Sequence, residues 1–180
     1  MQLRTPRLIL REPEDADLDA FAAMNADPDV TRYLLPLDRA GSAARLGRVR
    51  AHFAQHGFGE WAVEVPGVAR FAGLVGLSHV GFGAPFTPAV EIGWRIARPL
   101  WRRGYAREAA AVAIADGFGR LGLAEIVAMT VPANAASQAV MRDLGMTRDP
   151  AGDFDHPRVP EGHALRPHVL YRLRREEVGT

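Results

Sequence analysis

Residues 89–122 read AVEIGWRIARPLWRRGYAREAAAVAIADGFGRLG, and the spacing of their apolar side chains changes partway along. The first eight residues alternate between apolar and polar or small side chains, which is typical of a β-strand. Beyond Gly104 the spacing becomes helical and places Ala110, Ile114 and Phe118 in one stripe. The stretch therefore predicts a strand, a glycine-containing loop and a long helix.

Further strand-like and helix-like segments flank this stretch, and Gly and Pro residues separate them. Predicted strands lie at residues 7–12, 60–65, 70–80, 125–131 and 168–175, and predicted helices at 17–26, 42–55 and 134–145. The three strands in the middle suggest an antiparallel meander. The whole order predicts a mixed-sheet α/β (α+β) domain, with ligand expected where strand ends meet helix starts.

The composition is that of one folded domain spanning residues 1–180, with 48% hydrophobic and 24% charged residues. The chain shows no fixed-period repeat and no apolar run near the ~20 residues that a membrane span requires. Its N-terminus does not read as a signal peptide. We therefore expect a cytoplasmic protein with no membrane partner.

Two absent residue types exclude whole classes of chemistry. The chain has no cysteine, so disulfides, thiolate metal sites and an acyl-thioenzyme are excluded. It also has no lysine, which excludes a Walker P-loop and a Schiff-base lysine. The net charge of +1 gives no general reason to expect nucleic acid.

The loop before the long helix is rich in arginine, with Arg98, Arg102, Arg103 and Arg107 around Gly104. A glycine at a helix start allows close approach of the backbone, and the free N–H groups of the first turn favour a pyrophosphate. The alternative is a solvated arginine-rich loop before an ordinary helix.

This loop resembles the GNAT superfamily of acyl-CoA-dependent N-acyltransferases, whose pyrophosphate loop reads Gln/Arg-x-x-Gly-x-Gly/Ala. Here WRRGYA, residues 101–106, matches at Gly104 and Ala106, while Trp101 replaces Gln/Arg, as is common in the ribosomal-protein alanine N-acetyltransferase branch. The likeness covers nearly the whole chain. It implies a mainly antiparallel mixed sheet of six to seven strands flanked by about four helices.

A second motif of the family matches Asn134, Ser137 and Gly145. In the family the two polar residues lie near the pantetheine arm and the thioester. Many members place a tyrosine acid seven residues after the Asn, where this chain has Met141. Ser137 is the substitute acid that we consider. The structural alternative is that Asn134 caps a helix and Ser137 is its third residue.

The resemblance implies acetyl-CoA as co-substrate, an amine acceptor and no metal. Backbone N–H groups of residues 102–107 would hold the pyrophosphate, and the edge of residues 94–96 would pair with the pantetheine, with an N–H near Trp94 stabilising the oxyanion. The cofactor-binding residues so implied are Trp94, Ile96, Arg102, Arg103, Gly104, Tyr105, Ala106, Arg107, Asn134, Ser137 and Met141.

Glu91 is the candidate base. It shares a strand face with Gly93 and Arg95, and the missing side chain of Gly93 leaves room beside it. An amine attacks a thioester only when neutral, so a group must remove its proton. The alternative is a strand-surface glutamate paired with an arginine.

The roles of the histidines, and two alternative functions, stay open from the sequence alone. His52 and His56 have helical spacing but no evident third metal ligand, so a solvated helix face is the expectation. Residues 147–167 read as a long irregular loop that could line the amine site, with His156 in it and His168 just beyond it. The rival functions are a catalytically impaired CoA-binding module and, last, an RNA-binding protein. A homodimer is also left open.

Overall fold

The computed structural model describes residues 2–177, which form eight β-strands and five α-helices. The strands are β1 (Leu3–Arg4), β2 (Ile9–Arg11), β3 (Glu60–Val65), β4 (Ala69–His79), β5 (Val90–Ile96), β6 (Glu125–Thr130), β7 (Thr147–Asp155) and β8 (Pro167–Arg174). The helices are α1 (Leu18–Ala26), α2 (Pro28–Thr31), α3 (Arg39–His56), α4 (Tyr105–Gly119) and α5 (Ala135–Asp143). Within residues 2–177, no helix combines the length and apolar character that crossing a bilayer requires.

All eight strands belong to one sheet, in the order β1-β2-β3-β4-β5-β6-β8-β7. Neighbouring strands run antiparallel except β5 and β6, which are parallel. The predicted meander of β3, β4 and β5 and the predicted mixed, mainly antiparallel sheet are confirmed. The sheet has eight strands rather than six to seven, and the described residues hold five α-helices rather than about four.

Two strands, β1 and β7, lie outside the strands predicted from the sequence. Strand β7 occupies the first half of the predicted loop of residues 147–167, so that half of the loop prediction is wrong. β7 pairs with β8 at the edge of the sheet. Ion pairs replace the apolar alternation that would have revealed it: Arg172 contacts Asp149 at 2.6 Å, and Arg148 contacts Asp153 at 2.5 Å. Charged side chains are typical of edge strands, because they discourage pairing with other chains.

Helix α4 packs against β4 and β5 through small side chains. Ala109, Ala110 and Ala113 are all 0% exposed, and Ile114 and Phe118 are buried beside them. The predicted apolar stripe of this helix is therefore confirmed. Its packing fixes the start of α4 next to the end of β5.

The parallel pair β5–β6 opens the sheet at its centre. These strands pair at Glu91 and Val127, and the rest of β5 continues beyond that point along β4 alone. The second half of β5 thus has one hydrogen-bonding edge that no strand within residues 2–177 occupies. The cleft described next lies at this opening.

Candidate functional site

A cleft of about 780 Å³ lies at the opening, between β5, the start of α4 and the start of α5. It brings together residues from both motifs and the candidate base. The residues singled out from the sequence that line it are Glu91, Trp94, Ile96, Arg102, Gly104, Tyr105, Ala106, Arg107, Asn134, Ser137 and Met141. Arg103 alone of that set is not among the lining residues; its side chain is exposed.

The free edge of β5 directs peptide groups into this cleft. The N–H of Ala97 donates to Ala72 on β4 at 2.8 Å, so the peptide groups of Trp94 and Ile96, which alternate with it, point to the other side. In the part of the chain that the structure describes, that side has no partner strand beyond Glu91. The N–H and C=O of Trp94 and the N–H of Ile96 are therefore presented to a ligand.

The remaining polar group of this edge, the carbonyl of Ile96, is bound by Trp101. Its indole Nε1 donates to the carbonyl of Ile96 at 2.6 Å. The ring itself is 41% exposed, so the hydrogen bond, more than burial, holds it. At the position where the family motif has Gln or Arg, Trp101 therefore ties the loop before α4 to the end of β5.

Gly104 forms the N-cap of α4 in the left-handed region, with φ 79°. The N–H of Glu108 donates to the Gly104 carbonyl at 3.0 Å, which is the first turn of the helix. The N–H groups of Tyr105, Ala106 and Arg107 precede that bond and belong to the open helix start. Such a start attracts anions through its free donors and the helix dipole.

Arg7, near the N-terminus, anchors this helix start. Its guanidinium donates to the Arg103 carbonyl at 2.9 Å and forms an ion pair with Glu108 at 2.5 Å. The same group lies 5.0 Å from the ring centre of Tyr105. Sequence reasoning missed this role, because residues about a hundred positions apart carry no local signal of contact.

The four arginines around Gly104 have different surroundings. Arg98 forms an ion pair with Asp29 at 3.1 Å. Arg102 and Arg107 are exposed and line the cleft. Arg102 also has a left-handed backbone, with φ 59°, which is uncommon for a residue other than glycine.

Glu91 lines the cleft on the face of β5 that the sequence predicts. Ser78 donates to its carboxylate at 3.4 Å, and a Cβ at Gly93 would meet no non-neighbouring atom within 4 Å. The pKa of Glu91 is raised to about 7, mainly by burial and secondly by the negative charge of Glu60. Arg45, Ser78 and Arg158 oppose that shift. A carboxyl with this pKa accepts protons efficiently near neutral pH.

Two polar pairs beside Glu91 escaped the sequence reasoning. Arg45 on α3 and Glu60 on β3 form an ion pair at 2.5 Å, and both line the cleft. Arg95 donates to Asn25, and burial lowers its pKa to about 10. Only the inward direction of Arg95 was readable, from strand alternation. The position of α3 over β3 had no local signature.

The second motif forms the opposite wall. Asn134 caps α5 by accepting from the N–H of Ser137 at 3.2 Å, and its amide donates to Ser137 Oγ at 3.1 Å and to Thr130 Oγ1 at 3.0 Å. The predicted N-cap is confirmed. Ser137 Oγ accepts from Asn134, so its hydroxyl can still donate a proton, and Ser137 lines the cleft. Met141 is 2% exposed.

His156 and His168 lie elsewhere, in a cluster of rings with Phe82 and Phe154. The residues that line the cleft do not include either histidine. Burial lowers the pKa of both, that of His156 to about 4. Glu91 is therefore better placed than either histidine as a base for this cleft.

Comparison with known proteins agrees with this geometry. Residues 7–147 match the family model described as "Acetyltransferase (GNAT) domain". The Bacillus subtilis protein "Uncharacterized N-acetyltransferase YoaA" is 30% identical over 150 residues, which cover 82% of this chain and 83% of the relative.

Solved structures share the architecture over nearly the whole chain. An acetyltransferase from Agrobacterium tumefaciens superposes with a TM-score of 0.78 at 28% identity, covering 97% of this chain and 94% of that one. Mycobacterium smegmatis RimJ, solved in complex with CoA-disulfide, superposes with a TM-score of 0.77 at 23% identity, covering 100% and 88%. Sequence motifs, sheet order and these matches agree that the protein is an acyltransferase, and the chain belongs to the GNAT acetyltransferase family.

Proposed function

We propose that the protein transfers an acetyl group from acetyl-CoA to a primary amine by direct attack within a ternary complex. The observation that carries the proposal is the position of Glu91, whose pKa is raised to about 7. It lies on the strand whose free edge begins just beyond it, in the cleft that ends at the start of α4. A base, peptide donors and an anion site thus face one volume.

The start of α4 is the proposed pyrophosphate site. The N–H groups of residues 105–107 belong to the open start of α4, and those of residues 102–104 lie in the loop that leads into it. Arg102 and Arg107 line this wall of the cleft and add charge-assisted hydrogen bonds. Tyr105 and Ala106 line the same wall. The CoA-disulfide bound by the similar RimJ structure supports CoA as the ligand here.

The free edge of β5 is the proposed pantetheine site. The N–H and C=O of Trp94 and the N–H of Ile96 can extend the sheet by pairing with the amides of the pantetheine arm. An N–H of this edge near Trp94 also stabilises the charge that develops on the thioester oxygen during attack. The carbonyl of Ile96 does not pair with the pantetheine amides, because it already accepts from the Trp101 indole.

The chemistry is balanced in protons. Glu91 accepts one proton from the incoming ammonium, directly or through water, and the neutral amine forms the new C–N bond as the C–S bond breaks. Ser137 passes its hydroxyl proton to the departing thiolate. The nitrogen loses a second proton in forming the amide, and this proton restores the Ser137 hydroxyl, directly or through water. Glu91 releases the first proton to solvent, so the net reaction yields the amide, free CoA thiol and one proton.

The acceptor is a protein N-terminus or a small-molecule amine. Its site lies at the part of the cleft lined by Arg45, Glu60, Glu91 and Arg95. Both charge signs are present there, so the wall can bind an ammonium group and a neighbouring polar group together. The fold alone does not select among amines.

A CoA-binding module without catalysis is the second candidate, because Met141 occupies the position of the usual tyrosine acid. One experiment separates the two. Acetyl-CoA is incubated with panels of amines and of peptides bearing free N-termini, and thiol release is measured with Glu91→Gln as control. Release that depends on the amine and on Glu91 supports the enzyme. CoA binding by calorimetry with no release from any panel member would favour the module.

A further inference from the structure

Three histidines meet at the end of α3, outside the cleft described above. His52 and His56 lie one turn apart on α3, and His79 is the last residue of β4. One ring nitrogen from each lies within 4.8 Å of the others. From the sequence, no third ligand was evident beside His52 and His56, and that expectation is wrong. The third residue is His79, 23 positions after His56.

We propose that His52, His56 and His79 form a binding site for a divalent transition-metal ion of the zinc class. Imidazole nitrogen suits Zn²⁺, Ni²⁺ and Cu²⁺, whereas Mg²⁺ and Ca²⁺ select oxygen ligands. The group offers three nitrogens and no carboxylate. Three histidines leave a fourth tetrahedral position for water.

His52 is already oriented as a ligand. Its Nδ1 lies 2.8 Å from the carbonyl of Phe58, and a carbonyl only accepts, so Nδ1 carries the proton. Nε2 then carries the lone pair. A metal-binding histidine typically donates its other N–H to a backbone carbonyl, which holds the ring and its tautomer.

The distances fit a small tetrahedral ion. Nε2 of His52 lies 3.2 Å from Nδ1 of His79. Two nitrogens bound to zinc at about 2.0–2.1 Å are separated by roughly 3.3–3.4 Å along a tetrahedral edge. The ring centres of His56 lie 4.5 Å from those of both His52 and His79. Since His56 and His79 are exposed, small side-chain rotations complete the site.

Two existing contacts of His52 Nε2 must give way. The backbone N–H of His79 donates to it at 3.2 Å, and the ring Nδ1 of His79 lies 3.2 Å from it. A metal ion would take the lone pair of Nε2 and bind Nδ1 directly. Because His79 is exposed, water can accept from its N–H instead. The bound ion would then link the last turn of α3 to the end of β4, next to Ser78, which contacts Glu91.

The test uses untagged, full-length protein stripped with a chelator. Zn²⁺ is titrated by calorimetry, and Co²⁺ is added separately to record the visible absorption of a low-coordinate site. We expect one Zn²⁺ per chain and a melting temperature that rises with Zn²⁺. His56→Ala and His79→Ala, both at exposed positions, should each weaken binding at least ~10-fold.

Two controls define the outcome. His163→Ala removes an exposed histidine from another part of the chain and should leave Zn²⁺ binding unchanged. His156→Ala removes one of the other clustered histidines and should also leave it unchanged. No Zn²⁺ binding by the parent, equal binding by His56→Ala and His79→Ala, or loss of binding in either control would overturn the proposal. The result is independent of turnover, so it stands apart from the proposed acyl transfer.

Discussion

The hydroxyl of Ser78 lies 3.4 Å from a carboxylate oxygen of Glu91, across the β4–β5 pair. This distance is long for a hydroxyl hydrogen bond, so Ser78 stabilises the anion only weakly. Burial and the charge of Glu60 outweigh it and raise the pKa of Glu91 to about 7. The same carboxyl is therefore a base near neutral pH. Above about pH 7 it is ionised, and its burial then lowers the free energy of unfolding.

Replacing Glu91 by Gln should lower kcat by roughly 10²- to 10⁴-fold and leave CoA affinity unchanged, because only proton removal is lost. In the parent, kcat/KM should rise through about pH 7 as Glu91 ionises. The variant should lose that inflection, although its residual rate still rises as more acceptor becomes neutral. Initial rates and CoA calorimetry measure both effects. Turnover of the variant within a few-fold of the parent at neutral pH would show that Glu91 is not the base.

The raised pKa of Glu91 should make the stability of the folded protein change with pH in a defined direction. Folding raises the pKa of Glu91 from 4.5 to about 7, so the folded state holds this proton more tightly and loses stability as pH rises through that window. Glutamine does not titrate. From about pH 5 to about pH 8, the free energy of unfolding of Glu91→Gln should gain on the order of 1–3 kcal/mol relative to the parent. Urea unfolding of both proteins measures it; a constant difference would contradict the raised pKa.

A valine at Gly104 should weaken CoA binding at least ~10-fold, about 1.4 kcal/mol. Its backbone has φ +79°, and a Cβ there would lie 3.3 Å from Arg7, so a branched side chain displaces the loop or its anchor. Gly67→Val is the matched control, since Gly67 has φ +74° and no atom within 4 Å of a Cβ. The control should share the backbone strain and keep CoA affinity. Equal affinities for all three proteins would remove the start of α4 from the CoA site.

Removing the Ser137 hydroxyl should reduce kcat by roughly 10²-fold if it protonates the thiolate. Stability should hardly change in Ser137→Ala, because Asn134 caps the backbone N–H of residue 137, which the variant retains. By contrast, Asn134→Ala should destabilise the fold by ~1 kcal/mol through loss of the cap. Thermal melts and steady-state rates distinguish the two. An unchanged kcat in Ser137→Ala would leave Ser137 with a structural role alone.

The kinetic mechanism should show intersecting initial-rate lines when both substrates are varied. The chain has no cysteine to carry the acetyl group, so transfer without a covalent intermediate requires both substrates to be bound together. Intact mass after incubation with acetyl-CoA alone should show no added acetyl group. Parallel lines, or a stable acetylated chain, would reveal an unexpected nucleophile.

Local pattern alone determined much of this protein. The alternation of β5 placed Glu91 on the cleft face, the helical stripe beginning beyond Gly104 defined α4, and the spacing of Asn134 and Ser137 identified a helix cap. These features depend on residues a few positions apart, whose period and φ preference are encoded in the sequence itself.

Tertiary structure alone determined the rest. The pKa of Glu91 depends on burial and on Glu60, two strands away in the sheet. The start of α4 depends on Arg7, whose contact spans 96 residues. Strand β7 could not be predicted from the sequence, because an ion pair to β8 stabilises it and its side chains do not alternate between apolar and polar. His79 joins His52 only because α3 ends against β4. Such contacts form between distant segments, and their energies arise from burial and charge in the folded state, for which no local period exists.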